Sequence, residues 1–319
     1  MSGRIRVEWP ELDRAVLVDL ADDLNPELCQ ELRSHLPFTV TQEHPVVSGS
    51  SLTCWVSYLS KAPMPVTESI VDAPVGRLRF SQKTGSKISI QYGPGLEPVS
   101  QGVLGLVRPE DIAALPTIGE LVWNNLMWGK KVLRVRYTAE DDEPGEVRTG
   151  VSTAHPLAVR IEGLADSYSD VEPPDLVAIR TGQIEDAGSF GQYFSVIDAA
   201  NGLVRDLTVH TLYPLYRALD SEAIESVLAI YHHIVSSYRF TLGYHGYREL
   251  SDLLASVGDA IDADSSPETV RRILEALLCY TNRLYSWSHH NFPWHLSRGF
   301  PKHGSGEPAG SWEPPRSPD

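Results

Sequence analysis

The feature that most constrains this chain is a change of hydrophobic period along its length. Eight short alternating runs lie before residue 138: RIRVEW (4–9), RAVLVDL (14–20), FTVTQEH (38–44), SLTCWVSY (51–58), RLRFS (77–81), SKISIQY (86–92), GVLGLV (102–107) and KVLRVRY (131–137). Bounded by Gly, Pro, Ser and Asn, they predict a sandwich or a closed barrel. Two helical patterns interrupt them. Asn25-Pro26 offers an N-cap with proline at N1, followed by Leu28, Leu32 and Leu36 at every fourth position. The second runs from Thr117 to about Met127, with Ile118, Leu121, Val122 and Asn125 on one face.

Residues 139–190 lose the period. AEDDEPGE and SDVEPPD read as an irregular linker, with one extra strand expected near Ala158–Ile161. After Phe190 the pattern becomes helical. Ser221 to about Phe240 carries Ile224, Val227, Tyr231, Ile234 and Tyr238 at spacings of three and four. A second helix starts at Ser266-Pro267 and puts Ile273, Leu277, Tyr280, Leu284 and Trp287 on one stripe. Two more are expected at about 192–218, kinked by Pro214, and at 246–258. The predicted class is α+β: an eight-stranded barrel over 1–138, the linker over 139–190, and a helical bundle over 191–300. The Gly-, Pro- and Ser-rich segment 301–319 is expected to be disordered.

The surface charge narrows the partners. Acidic residues number 42 against 27 basic ones, a net charge of −15. That sign repels phosphate backbones, and no local basic patch offsets it, so no nucleic-acid partner is expected. Three scattered cysteines without CxxC spacing fit a reducing compartment. MSGRIRVEWPELDR lacks the apolar core of a signal peptide, and no run reaches membrane-spanning length. The expected setting is cytoplasmic, with a homodimer the expected assembly.

Several chemistries lack sequence support. No GxGxxG opens a helix after a strand, and no Walker motif, GxSxG elbow or HExxH occurs. Nicotinamide, ATP and zinc-hydrolase mechanisms are therefore set aside, and no cofactor is expected. The adjacent pairs His232-His233 and His289-His290 point about 100° apart on a helix, so neither pair can share one ion. No metal site is expected.

Strand alternation sorts the barrel side chains onto two faces. Leu52, Cys54, Val56, Ile88, Ile90, Leu78 and Phe80 take the interior, which turns Thr53, Trp55, Ser57, Lys87, Ser89, Gln91, Arg77 and Arg79 outward. Outward polar groups are ordinarily solvated. An outward tryptophan instead suggests a covering domain or a binding wall. The loops EHPVVSGSS (43–51) and QYGPGLE (91–97) gather His44, Ser48, Ser50, Tyr92 and Glu97 at strand ends. For His44 and Glu97, a loop-surface role and an acid/base role stand equally open.

The succession of two strands, a helix, HPVVSGSSLTCWVSY, KISIQYG and the late helix IGELVWNNLMWGKK resembles the cyclophilin-like barrel of small bacterial proteins. Followed by a helical bundle, it resembles cucumopine synthase and the bacterial Pictet-Spenglerases of β-carboline alkaloid biosynthesis. The resemblance spans nearly the whole chain to about residue 300 and rests on element order and short phrases. It implies a cofactor-independent condensation of an amino acid with a 2-oxo acid. Tryptophan with 2-oxoglutarate is the leading pair, and histidine with 2-oxoglutarate is the cucumopine-type alternative. A non-catalytic small-acid-binding protein on the same barrel is a third reading, and a prolyl isomerase a fourth that would need an arginine beside the cleft.

Such a reaction deprotonates an ammonium, protonates a departing hydroxyl and takes a proton from carbon. One histidine or carboxylate with a pKa near neutrality can serve all three steps. His44 or Glu97 is the candidate, with Tyr92 as donor. Substrate carboxylates need cationic or hydroxyl partners, for which Arg79, Lys87, Ser48, Ser50 and Gln91 are available. Trp55 can wall an indole, with Tyr231, Tyr285 or Trp287 from the bundle, although those three also fit core stripes.

Overall fold

The computed structural model describes residues 3–81, 86–140, 155–169, 171–184, 202–262 and 264–296. Nine strands form one sheet: β1 (Arg4–Trp9), β2 (Arg14–Leu20), β3 (Phe38–Glu43), β4 (Gly49–Trp55), β5 (Thr67–Ser69), β6 (Arg77–Ser81), β7 (Lys87–Gly95), β8 (Ser100–Val107) and β9 (Arg134–Ala139). Their order is β2-β1-β9-β3-β4-β7-β6-β8-β5, and an additional β2–β8 pairing closes eight of them into a barrel. Those eight correspond to the eight runs read from the sequence. The three-residue β5 was not among them; it shares an edge of β8 with β2, pairing Thr67 with Gly102 where β2 pairs Leu20 with Gly105.

The barrel core is the expected one. Leu52, Leu78, Phe80, Ile88 and Ile90 are buried inside, with Leu28, Cys29 and Leu32 of α1 (Pro26–Ser34) and Ile118 and Val122 of α2 (Leu115–Asn124) packed among them. Two local expectations change. Asn25 stands at the N-cap of α1 with Pro26 following, as expected, but its side chain makes no capping bond; its amide donates to the Val66 and Val103 carbonyls and accepts from the Val66 N–H, because a buried amide is better satisfied by three backbone groups than by one helix end. Leu121 is exposed, since the inward face of α2 runs through Leu115, Ile118, Gly119 and Val122.

The stretch expected as linker contains two helices, α3 (Pro156–Ser167) and α4 (Pro174–Arg180). Both start with proline at N1, and His155 caps α3 by accepting from the Leu157 N–H. The expected strand at Ala158–Ile161 is thus helical: Ala158, Ile161 and Ala165 are buried on one face while Val159 is exposed, a period of three and four rather than two. Residues 141–154 of the expected linker, the start of the helix expected over 192–218 and the tail 301–319 lie outside the described residues.

From Asp206 a π-helical turn leads into α5 (Tyr213–Ala218), with Pro214 in its first turn. The helix expected from Ser221 is α6 (Ile224–Ile230), a π-helical turn at Tyr231–Val235, and α7 (Ser236–Tyr244). The extra residue of the π turn shifts the buried face. Val227, Tyr231 and Val235 are therefore inside while Ile234 is exposed, against the simple spacing. Helix α8 (Arg248–Ala260) follows, then the 25-residue α9 (Pro267–Asn291), capped as expected by Ser266 accepting from the Thr269 N–H at 3.1 Å. Among the described residues no helix is long and apolar enough to cross a membrane.

Helix α9 joins the two halves. Ile273, Leu277, Tyr280, Leu284 and Trp287 enter the bundle core, as the stripe predicts. The opposite face meets the outer barrel wall: Asn282 donates to Ser86 Oγ at 2.7 Å, and Arg283 donates to the Trp55 carbonyl at 3.1 Å and Ser57 Oγ at 2.7 Å. Arg283 is 4 % exposed, so removing it strands the buried Trp55 carbonyl and empties a buried side-chain site. Arg283→Ala is expected to destabilise the protein by about 3 kcal/mol or more in urea denaturation. Arg272→Ala, whose partly exposed guanidinium pairs with Glu162 and Glu275, should cost about 1 kcal/mol or less.

Candidate active site

Every residue of β4 is buried, which a strand with one solvated face cannot show. Its inner face lines the barrel and its outer face lies under α9. Antiparallel register then fixes the row beneath the helix: Glu43 on β3 lies opposite Thr53 on β4, and Trp55 lies opposite Lys87 on β7. On α9 the spacing 282, 285, 286 and 289 places Asn282, Tyr285, Ser286 and His289 along one face. Tyr285 meets Trp55 edge to face with centroids 5.4 Å apart.

Between these surfaces lies a cavity of about 410 Å³, within the range of small-molecule sites. Glu43, His44, Ser48, Thr53, Trp55, Lys87 and Glu97 line it from the barrel. The helical side contributes Arg205, Val209, Tyr285, His289 and Trp294. Six residues proposed from the sequence (His44, Ser48, Trp55, Lys87, Glu97 and Tyr285) are therefore brought together. Tyr92 stands directly behind, with its hydroxyl 2.7 Å from His44 Nε2. His44 Nδ1 is 2.6 Å from the Pro45 carbonyl, which can only accept, so Nδ1 carries the proton and Tyr92 donates to Nε2 of the neutral ring. Burial pushes the Tyr92 hydroxyl up to about 12, partly offset by a hydrogen bond to Ser50. Ser50 thus supports Tyr92 rather than lining the cavity. Gly119 is required here, because a Cβ would lie 2.5 Å from the Tyr92 ring.

Four other proposed residues lie elsewhere. Arg79 is 1 % exposed and donates to Gln91 Oε1 and Ser51 Oγ, while the Gln91 amide donates to the Ile70 and Gly93 carbonyls. Neither is a cavity residue, and this arginine is not open to a peptide as a prolyl isomerase would need. Tyr231 is in the bundle core, its hydroxyl donating to the Leu254 carbonyl. Trp287 is also core, bonded to the Tyr168 carbonyl. The adjacent histidines diverge as helix geometry requires: His289 faces Glu43, whereas His290 Nε2 lies 3.1 Å from the Lys130 carbonyl.

Glu43 and His289 are the site residues that sequence reasoning passed over. Glu43 is 4 % exposed, and burial raises its pKa against the opposing pull of Ser286, Lys87, Trp55 and Arg283. The Trp55 N–H is close enough to favour the carboxylate but lacks hydrogen-bond alignment. His289 Nδ1 is 3.9 Å from Glu43 Oε2. Burial, then the Lys87 charge, lowers the imidazole to about 3, so it is neutral. Burial likewise lowers the Lys87 ammonium, with Glu43 opposing. Among the described residues, Glu43 Oε1, Thr53 Oγ1, Trp55 Nε1 and His289 Nδ1 are all buried without a hydrogen-bond partner, and all four belong to residues of this one cavity. Buried polar atoms are ordinarily paired, so the cluster marks a place where a polar ligand completes the structure.

The comparisons agree with that geometry. The cucumopine synthase C-terminal helical bundle domain matches residues 161–291. The solved structure of McbB in complex with tryptophan is 27 % identical in sequence, covers 91 % of this chain and 97 % of its own, and superposes with a TM-score of 0.84. A sequence comparison with curated proteins finds no match. Barrel, bundle and their order are thus shared with McbB, and the helical part is similar to the cucumopine synthase bundle domain, which agrees with the resemblance carried by the sequence phrases.

His289 makes a pH signature measurable. The folded imidazole, at about 3, titrates below its ordinary value of 6.5. Its contribution is full above that value and is lost as pH falls toward 3, because only the unfolded chain gains the proton. Between pH 7 and pH 5 the loss is about 2 kcal/mol. Denaturation at both pH values should show His289→Gln lacking that increment of acid sensitivity relative to the parent.

Proposed function

We propose that this chain is a cofactor-independent Pictet-Spenglerase that condenses an aromatic amino acid, L-tryptophan foremost, with a 2-oxo acid, 2-oxoglutarate foremost. The product is a tetrahydro-β-carboline, as in alkaloid biosynthesis. The observation that carries this reading is the enclosed cavity over Trp55, with orphaned polar atoms on its wall. The similarity to McbB, a protein solved with tryptophan, supports an amino-acid substrate for the same cleft.

The roles follow from position. Trp55, Tyr285 and Trp294 offer aromatic surface for an indole. Arg205, Lys87 and Ser48 supply charge-assisted or hydroxyl partners for carboxylates. Glu43 is the acid/base group: burial raises its carboxyl above the ordinary carboxylate range, the direction that suits a group which both takes and gives protons. It takes the proton of the incoming ammonium, returns one to the hydroxyl that leaves as water, and finally accepts the ring proton from the cyclised iminium adduct. His289, neutral and 3.9 Å from Glu43 Oε2, leaves the proton on the carboxyl group and offers a polar wall beside it. His44, fixed by its hydrogen bonds to Tyr92 and the Pro45 carbonyl, and Glu97, half-buried in the wall, orient the reactants. Confinement itself supplies much of the rate, on the order of 7 kcal/mol for well-aligned reactants.

Mass spectrometry of the purified protein with tryptophan and 2-oxoglutarate should reveal a product equal to their sum less one water. Glu43→Gln should lower turnover about 100-fold or more while tryptophan still binds in calorimetry. The bundle-domain match favours histidine as the second amine to try, and a histidine adduct in place of a tryptophan one would move the reading to a cucumopine-type synthase. Tight binding of either acid without any product, from any aromatic amine, would leave a non-catalytic binding protein.

A further inference from the structure

Lys87 occupies an unusual position for a surface-strand lysine. It begins β7 opposite Trp55, lines the cavity, and its Nζ lies 5.5 Å from the centroid of the Trp55 ring. Among the described residues no carboxylate comes within ion-pair distance of it, although Glu43 and Glu97 line the same cavity. Arg205, in the same wall, retains its charge regardless of burial and is the better permanent partner for a substrate carboxylate. An amine over an aromatic ring in a cavity that also holds a carboxyl group is an arrangement that suits lysine as a nucleophile toward carbonyls. Its lowered pKa is consistent with that role.

We propose that Lys87 takes the 2-oxo acid as a Schiff base before the amine substrate adds, a covalent stage in the reaction proposed above and dependent on that reading for its second half. The Lys87 amine adds to the ketone carbon and forms a carbinolamine. Glu43 protonates the hydroxyl, water leaves, and a protonated Schiff base joins Nζ to the oxo-acid carbon. The neutral amine of the second substrate, its ammonium proton taken by the Glu43 carboxylate, adds to that carbon. A proton passes from the new nitrogen to Nζ, the Nζ–carbon bond breaks, and Lys87 departs as a free amine. The iminium of the amine substrate remains, with all atoms and charge conserved. No oxidant or reductant enters.

The test separates this stage from the condensation. The intact protein is treated with 2-oxoglutarate alone and sodium cyanoborohydride, then digested and mapped by mass spectrometry. A single adduct on Lys87, heavier by the oxo acid less one oxygen atom, is expected. Lys87→Arg, which keeps charge and bulk, should lose both adduct and turnover while its unfolding midpoint stays near the parent's. An adduct on Lys87 supports the proposal whether or not any aromatic amine yields product, and in the absence of product only the condensation reading fails. Product formation without an adduct, or full turnover by Lys87→Arg, overturns the proposal and leaves the condensation intact. With neither adduct nor product, both fail.

Discussion

The structure depends on one helix having two buried faces. A helix at the surface of a bundle normally keeps a polar stripe for water. In α9 that stripe is instead pressed on the outside of the barrel, where Asn282 and Arg283 bond Ser86, Ser57 and the Trp55 carbonyl. The remaining polar members, Tyr285, Ser286 and His289, meet Trp55 and Glu43. Without that docking, β4 would have a solvated outer face and the cavity would be an open groove. The chemistry of the site is therefore a consequence of interdomain packing more than of any local motif.

Enclosure also sets the electrostatics. In water a glutamate, a lysine and a histidine side by side would each titrate normally. Under α9, burial disfavours every charged form, and it is the leading cause of the shifts at Glu43, Lys87 and His289 alike. The outcome is a set of groups whose charged forms are all disfavoured by the same burial. The accompanying cost lies in orphaned polar atoms, each worth about 1–3 kcal/mol when nothing bonds them. A fold tolerates that where a ligand restores the missing bonds.

Much of this was legible in the sequence because strand alternation is a strong signal. It assigned the eight barrel strands and turned Trp55, Lys87 and Thr53 outward, and an outward indole already implied a cover. What it missed follows a pattern. Glu43 closes β3 beside the more conspicuous His44, and as one carboxylate in an acidic chain it carried no mark. His289 was weighed as half of a metal-binding pair, whereas its informative neighbours are Asn282, Tyr285 and Ser286, the polar stripe opposite the apolar one. Arg79 and Gln91 do face outward, but a strand pattern fixes only the face, not which part of the wall a second domain covers. Tyr231 opens a π turn and lies in the bundle core, the alternative its helical stripe had already offered. The helices at Pro156 and Pro174 were hidden by prolines that read as linker, though each stands at N1, where proline is well placed.

On the proposed reading, the same geometry explains how the site would choose among its ligands. The cavity offers flat aromatic surface at Trp55, Tyr285 and Trp294, with cations at Lys87 and Arg205 and carboxyl groups at Glu43 and Glu97. A ligand that is aromatic and carries both an amine and a carboxylate can satisfy all three kinds of wall. An aromatic amine without the carboxylate leaves a buried cation unpaired, and an aliphatic amino acid leaves the indole surface uncovered. Selectivity by such omissions is steep for polar groups and shallow for apolar ones, since an unpaired buried charge costs far more than a missing methylene. The site should therefore hold more firmly to the carboxylates of its substrates than to the identity of the aromatic ring, and tolerance for the ring is where related chains on this barrel and bundle have most room to diverge.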